Sequence, residues 1–194
     1  HIPSNGVGAA RGWEVYMTSG MEDYFEPALG ITHNDGNMST LLKYVSSDVV
    51  KINDDASRTI ITLKDEVYPV EVKLFYEVYV KENVIKSWTE ISHSEKKPVT
   101  MFRYASSMLF FEEPHYFLTQ FNGDWAREVK MTTQELTFGK KVLDTKLGAR
   151  AAMFVSPFFQ LSLGQPATET EGRVLVGTIG WTGNFQFTFE VDQK

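Results

Sequence analysis

Val70-Glu71-Val72-Lys73-Leu74-Phe75-Tyr76-Glu77-Val78-Tyr79-Val80 decides the fold class. In this stretch Val70, Val72, Leu74, Tyr76, Val78 and Val80 alternate with Glu71, Lys73, Phe75, Glu77 and Tyr79. Successive side chains of an extended chain point to opposite sides, so the first set lines one face of a strand and the second lines the other. Lys81-Glu82-Asn83 reads as a turn, and a second strand runs from about Val84 to His93. Ser94-Glu95-Lys96-Lys97-Pro98 breaks it. A third run goes from Val99 to Phe111, and Pro114 ends it because proline has no N–H to give a ladder.

The rest of the chain keeps this rhythm. Phe117 to Phe121 leads into the turn Asn122-Gly123-Asp124, and Glu128 to Phe138 into Gly139-Lys140-Lys141. Met153 to Leu163 ends at Gly164-Gln165-Pro166, Arg173 to Ile179 reaches Gly180, and Phe185 to Val191 follows. Short β-rich runs spaced by turn signals predict an all-β fold, an antiparallel supersandwich of two packed sheets with little helix. No amphipathic helix of ten residues stands out, and no linker or shift in composition divides the chain. Residues 1–194 are therefore expected to form a single β-sandwich domain. The Gly- and Ala-rich opening and the abrupt last strand read as cut ends, so the domain is expected to be a fragment of a larger protein.

Of the 194 residues, 42% are hydrophobic and 23% charged, ordinary values for a soluble globular chain. The net charge is -6, with Lys and Arg scattered among acids, which argues against nucleic acid because phosphate binding needs clustered cations. No apolar run approaches the roughly 18 residues that span a bilayer, so no membrane partner is expected. A soluble protein is expected, and the sequence does not choose its compartment. With no cysteine, disulfides and thiolate metal sites are excluded. His1, His33, His93 and His115 have no metal-ligand spacing, and neither metal nor cofactor is expected. Gly6-Val7-Gly8-Ala9-Ala10-Arg11 looks like the start of a dinucleotide loop but lacks the strand before it and the helix after it. Glu112 and Glu113 would point to opposite sides of a strand, whereas glycosidase carboxylates face one sugar from about 5 to 9.5 Å apart. No catalytic residue is assigned. The chain is rich in aromatics, and its four indoles, Trp13, Trp88, Trp125 and Trp181, suit sugar faces as well as cores.

Four segments occur in a fixed order. They are Glu22-Asp23-Tyr24-Phe25-Glu26-Pro27-Ala28-Leu29 with Asp35-Gly36, then Phe121-Asn122-Gly123-Asp124-Trp125-Ala126-Arg127-Glu128, then Gly148-Ala149-Arg150-Ala151-Ala152 running into Ser156-Pro157-Phe158, and finally Gly177-Thr178-Ile179-Gly180-Trp181-Thr182-Gly183-Asn184-Phe185. The order resembles the N-terminal domain of glycoside hydrolase family 36, the α-galactosidases, across nearly the whole chain. The resemblance implies a β supersandwich packed on a catalytic (β/α)₈ barrel that lies downstream and carries both catalytic aspartates, so the fragment alone would be inactive. It also implies a loop that reaches an active site, often a neighbouring subunit's, whose aspartate contacts galactose; by position that residue is Asp23. The implied partners are an α-galactoside oligosaccharide, the barrel and further copies of the same chain.

Trp13 and Trp181 are candidates for sugar stacking. Trp125, Arg127, Glu128, Gly183 and Asn184 are expected to be mainly structural, with Trp125 and Arg127 on one face of the strand after Asn122-Gly123. The match has departures: Phe25 stands where the family has Arg, Ala151 and Ala152 replace paired serines, and Trp181-Thr182 replaces Tyr-Ser. Galactose and N-acetylgalactosamine both stay open as the parent's sugar. Two other readings are a free-standing carbohydrate-binding β sandwich and a mutarotase-like epimerase, which needs His and Glu converging in a cleft.

Overall fold

A computed structural model describes residues 14–21 and 26–192 of the chain. Trp13 and Asp23 lie outside the described residues, as do Phe25 and the glycine-rich segment at 6–11. The chain is all-β and antiparallel: among the described residues every pairing between its strands is antiparallel, and the helical part is a short 3-10 stretch at Gly148–Met153, kinked at Arg150. Contacts divide it into two compact units, His1–Phe110 and Phe111–Lys194.

The first unit holds β1 (Leu29–Thr32), β2 (Leu42–Lys51), β3 (Ala56–Asp65), β4 (Val70–Tyr79), β5 (Val84–His93) and β6 (Thr100–Tyr104). Strands β2-β3-β4-β5 form a sheet of consecutive hairpins, and β1 pairs with β6 in a second sheet. The alternation in β4 does what it predicts: Val70, Val72 and Leu74 are buried with Leu63 against Tyr16, Ala28, Leu29 and Ile31. The opposite face has its own packing. Phe75 stacks on Trp88, its partner across β5, with ring centroids 4.7 Å apart and 4° between planes. Glu77 accepts from Arg58 Nε at 2.7 Å and from the Tyr79 hydroxyl.

The run from Val99 stops at Tyr104, short of Phe111, because its partner β1 has four residues and the ladder ends at the pair Leu29↔Tyr104. Strands β2 and β3 left no clear alternation. β2 is an edge strand exposed along nearly all of its length, so no buried face imposes an apolar pattern on it.

The second unit holds β7 (Tyr116–Asn122), β8 (Lys130–Glu135), β9 (Gly139–Thr145), β10 (Val155–Leu163), β11 (Val174–Thr178) and β12 (Phe185–Val191). The orders are β11-β10-β7-β8 and β12-β9. Leu118, Leu136, Leu143 and Leu161 form its core, with Phe187 and Phe189 edge-on to Phe159 at 5.0 and 4.8 Å. Gly139-Lys140-Lys141, expected as a turn, instead opens β9, where Lys140 and Lys141 take up the ladder with Glu190 and Phe189. Leu118 is fully buried, so Leu118→Ala should cost about 2–5 kcal/mol. The measurement is a denaturant midpoint that falls while the slope stays the same.

Candidate functional site

In the first unit, both flanks of residues 19–28 are fixed to the core. On one side Met17, Thr18 and Tyr16 are buried; on the other, Ala28 and Leu29 are buried. Ser19 N–H donates to the Leu29 carbonyl at 2.9 Å, and Ala28 N–H donates to the Met17 carbonyl at 2.8 Å. Glu26 is paired with Arg103 on β6. The stem of this segment is therefore rigid at both ends.

Beside the stem lies a polar cluster that no local sequence signal marks. His33 follows β1, and its side chain is wholly shielded from solvent; Glu95 follows β5 and is shielded to within 1%. His33 Nδ1 is 2.7 Å from Glu95 Oε1, and Nε2 is 2.9 Å from Thr40 Oγ1. The imidazole stacks on Tyr68 at 3.6 Å and 7°. Tyr68 donates to Asp35 Oδ2 at 2.9 Å and accepts from Asn37 Nδ2 at 2.9 Å. The other Glu95 oxygen accepts from the Asn34 backbone at 2.9 Å and from its side-chain amide at 2.7 Å. Burial pushes the Glu95 carboxyl up, but the Asn34 N–H and the His33 ring outweigh it and hold the group below its ordinary value of 4.5. The Asn37 N–H and the Tyr68 hydroxyl likewise hold Asp35 down.

Thr40, His33 and Glu95 have the order of a hydroxyl–imidazole–carboxylate relay. Thr40 is 1% exposed, so no substrate reaches its oxygen and the relay cannot serve nucleophilic chemistry. Among the described residues, no three His, Asp or Glu side chains converge as a metal site.

In the second unit, three connections gather at one end. They are the turn after β7, the 3-10 turn between β9 and β10, and the β11–β12 loop. Gly123 N–H donates to Phe154 O at 2.9 Å, and Gly148 N–H donates to Asn184 Oδ1 at 2.8 Å, which ties the three together. Gly183 leaves room for the Trp181 indole, since a Cβ there would come within 2.5 Å of Nε1. Trp181 is 62% exposed.

Trp125 departs from expectation: it is 84% exposed and sits with Arg127 in a tight turn, not on a strand face. Asp124 and Arg127 close this turn through two backbone bonds, of 3.2 and 3.0 Å, and Ala126 within it takes φ 60. Glu128, which follows the turn, is exposed. Val129 has φ 58, a costly conformation for a β-branched residue. Such strain gathers at functional turns more than at inert ones.

The family model of the glycosyl hydrolase family 36 N-terminal domain matches residues 4–194. The chain belongs to that family. Among its relatives, α-galactosidase AgaA of Geobacillus stearothermophilus is 26% identical over 194 residues, covering 93% of this chain and 26% of that protein. A probable α-galactosidase of Aspergillus terreus is 25% identical over 189 residues, covering 90% of this chain and 26% of that one. The crystal structure of a variant AgaA in complex with raffinose superposes with a TM-score of 0.85 at 26% identity, over 92% of this chain and 26% of that one. The chain thus spans about a quarter of the length of these relatives.

For this family 36 N-terminal domain, three of the four motif segments fall on the loop end of the second unit. The first flanks the fixed stem of the first unit, with Asp23 itself outside the described residues. Among the described residues, no helix is long and apolar enough to cross a membrane.

Two outcomes follow from this geometry. Trp125→Ala should change stability by less than about 0.5 kcal/mol, because an exposed ring gives up little on truncation; the check is the melting temperature. Glu95, depressed in the folded state, adds stability that is complete above about pH 4.5 and is lost as pH falls through its lower folded value. Glu95→Gln should therefore flatten the loss of melting temperature between about pH 6 and about pH 3.

Proposed function

We propose that the two units form one accessory domain of an α-galactosidase-like retaining glycosidase. In this reading the domain supports a downstream catalytic barrel and offers Asp23 to a terminal α-galactoside at the barrel mouth, in its own or a neighbouring subunit. The observation that carries the reading is the continuous family match over residues 4–194, which corresponds to only 26% of relatives that are α-galactosidases. The stem fixed on both sides of residues 22–25 supports it, because a group offered to a ligand binds best when little freedom is left to lose. A carboxylate suits the task, since its two oxygens can accept two sugar hydroxyls at once. The barrel would supply both catalytic aspartates, and the chain alone would not turn over a glycoside.

A second reading rests on the exposed indoles of the second unit. Trp125 and Trp181, on connected loops, offer apolar faces to sugar rings, and Trp13 is a further candidate. In this reading the isolated chain binds an oligosaccharide by itself. Titrating the isolated chain with raffinose separates the two, since only the module reading gives saturable binding that Trp181→Ala abolishes.

Asp23→Ala in the complete enzyme should lower kcat/KM about 10- to 150-fold, equivalent to losing one charged hydrogen bond of about 1.5–3 kcal/mol. Its melting temperature should hold. Unchanged kcat/KM removes Asp23 from the site, and a large stability loss makes it a structural acid.

A further inference from the structure

We propose that Glu95, His33 and Thr40 form a positioning relay that sets the two arms of the stem, Thr18–Gly20 and Ala28–Leu29. As an account of substrate binding, the proposal rests on the Asp23 reading above; as an account of the stem, it stands on the following bonds alone. Glu95 is held ionised, and a carboxylate only accepts, so the His33 proton sits on Nδ1, 2.7 Å away. On the other side of the ring, Nε2 is hydrogen-bonded to the Thr40 hydroxyl oxygen at 2.9 Å, which fixes that side chain in one orientation.

The backbone of Thr40 carries the constraint onward. Its N–H donates to the Ser19 carbonyl at 2.9 Å, and its carbonyl accepts the Thr18 hydroxyl. Ser19 N–H in turn donates to the Leu29 carbonyl at 2.9 Å, which closes the stem. Gly20, at φ 95, lies so close to Ser39 that a Cβ there would come within 2.5 Å of the Ser39 Cβ. The strip at 39–40 and the stem at 18–20 are thus packed without slack.

His33, Thr40, Thr18 and Leu29 are each 3% exposed or less, so water does not compete for these bonds. Apolar residues of similar volume often fill such a site at no loss of stability, whereas each bond of this polar chain asks for one geometry. Here that chain ends at the stem.

Thr40→Val keeps the shape and removes the hydroxyl, and Thr40→Ser restores the hydroxyl. Hydrogen exchange at the Ser19, Ala28 and Leu29 amides of this chain should quicken about 2- to 10-fold in Thr40→Val and return toward the original rate in Thr40→Ser. Glu95→Gln, also isosteric, should quicken the same amides and stands in should the valine variant not fold. In the complete enzyme, Thr40→Val should raise KM by about 2- to 10-fold with kcat little changed, and Thr40→Ser should reverse it.

Exchange at the three amides that ignores both Thr40→Val and Glu95→Gln overturns the relay, whatever Asp23 does. Exchange that responds while KM does not, with Asp23→Ala still raising KM, overturns its role in substrate binding. If exchange responds and Asp23→Ala leaves kcat/KM unchanged, the Asp23 reading falls and the relay's hold on the stem stands.

Discussion

A carboxylate taken out of water needs donors that replace the water, or it loses its charge. Glu95 meets this requirement with Asn34 on one oxygen and His33 on the other, and the donors come from the segment that follows β1. The end of β5 and the segment after β1 are therefore tied at a point 62 residues apart in sequence. Tyr68, between β3 and β4, is drawn in by stacking on the imidazole, and its hydroxyl joins Asp35 to Asn37. One buried charge thus organises the loops at one end of the first unit, and the apolar layer of Leu29, Ile31, Val70, Val72 and Leu74 supplies the volume beneath.

The second unit concentrates its motif residues for a topological reason. Strands β7, β9 and β11 run toward one end, and β8, β10 and β12 run back from it, so each odd-to-even connection emerges there. Antiparallel pairing leaves no other place for these three turns. Segments separated in sequence by some 20 to 30 residues come together without any contact between their strands needing to specify it. The loops are then free to carry unusual conformations, such as the positive φ of Ala126 and Val129, because the ladders on either side hold the ends.

The β4–β5 hairpin was legible to within one residue, Val80 falling in the turn, because Val70, Val72 and Leu74 are buried on one face and the pattern records that burial. β2 was not, since an exposed edge strand is free to mix Lys43, Ser46, Ser47 and Asp48 with valines. A break after β7 was legible at Asn122-Gly123, but the turn itself lies at Asp124–Arg127 and the exposure of Trp125 was not legible, because an indole's size predicts burial. The four motif segments were legible as an ordered set. His33 and Glu95 carried no signal, because a hydrogen bond between distant loops leaves no periodicity and each residue taken alone looks like a solvated turn residue.

An accessory domain can aid a reaction only by what it holds still. A side chain offered from a loose loop gives back much of its hydrogen-bond energy in lost conformational freedom, of the order of 1–2 kcal/mol for each backbone residue that must be ordered. Fixing the residues on either side of the offered group before the ligand arrives removes that loss in advance. In this chain the two arms of the stem, at Met17–Ser19 and Ala28–Leu29, are fixed by core burial, by backbone bonds between Ser19, Leu29, Met17 and Ala28, and by a polar chain that starts at a buried carboxylate. The first two would serve any surface loop. The third costs desolvation and gains no apolar area, so its place at this stem makes sense where geometry counts for more than stability.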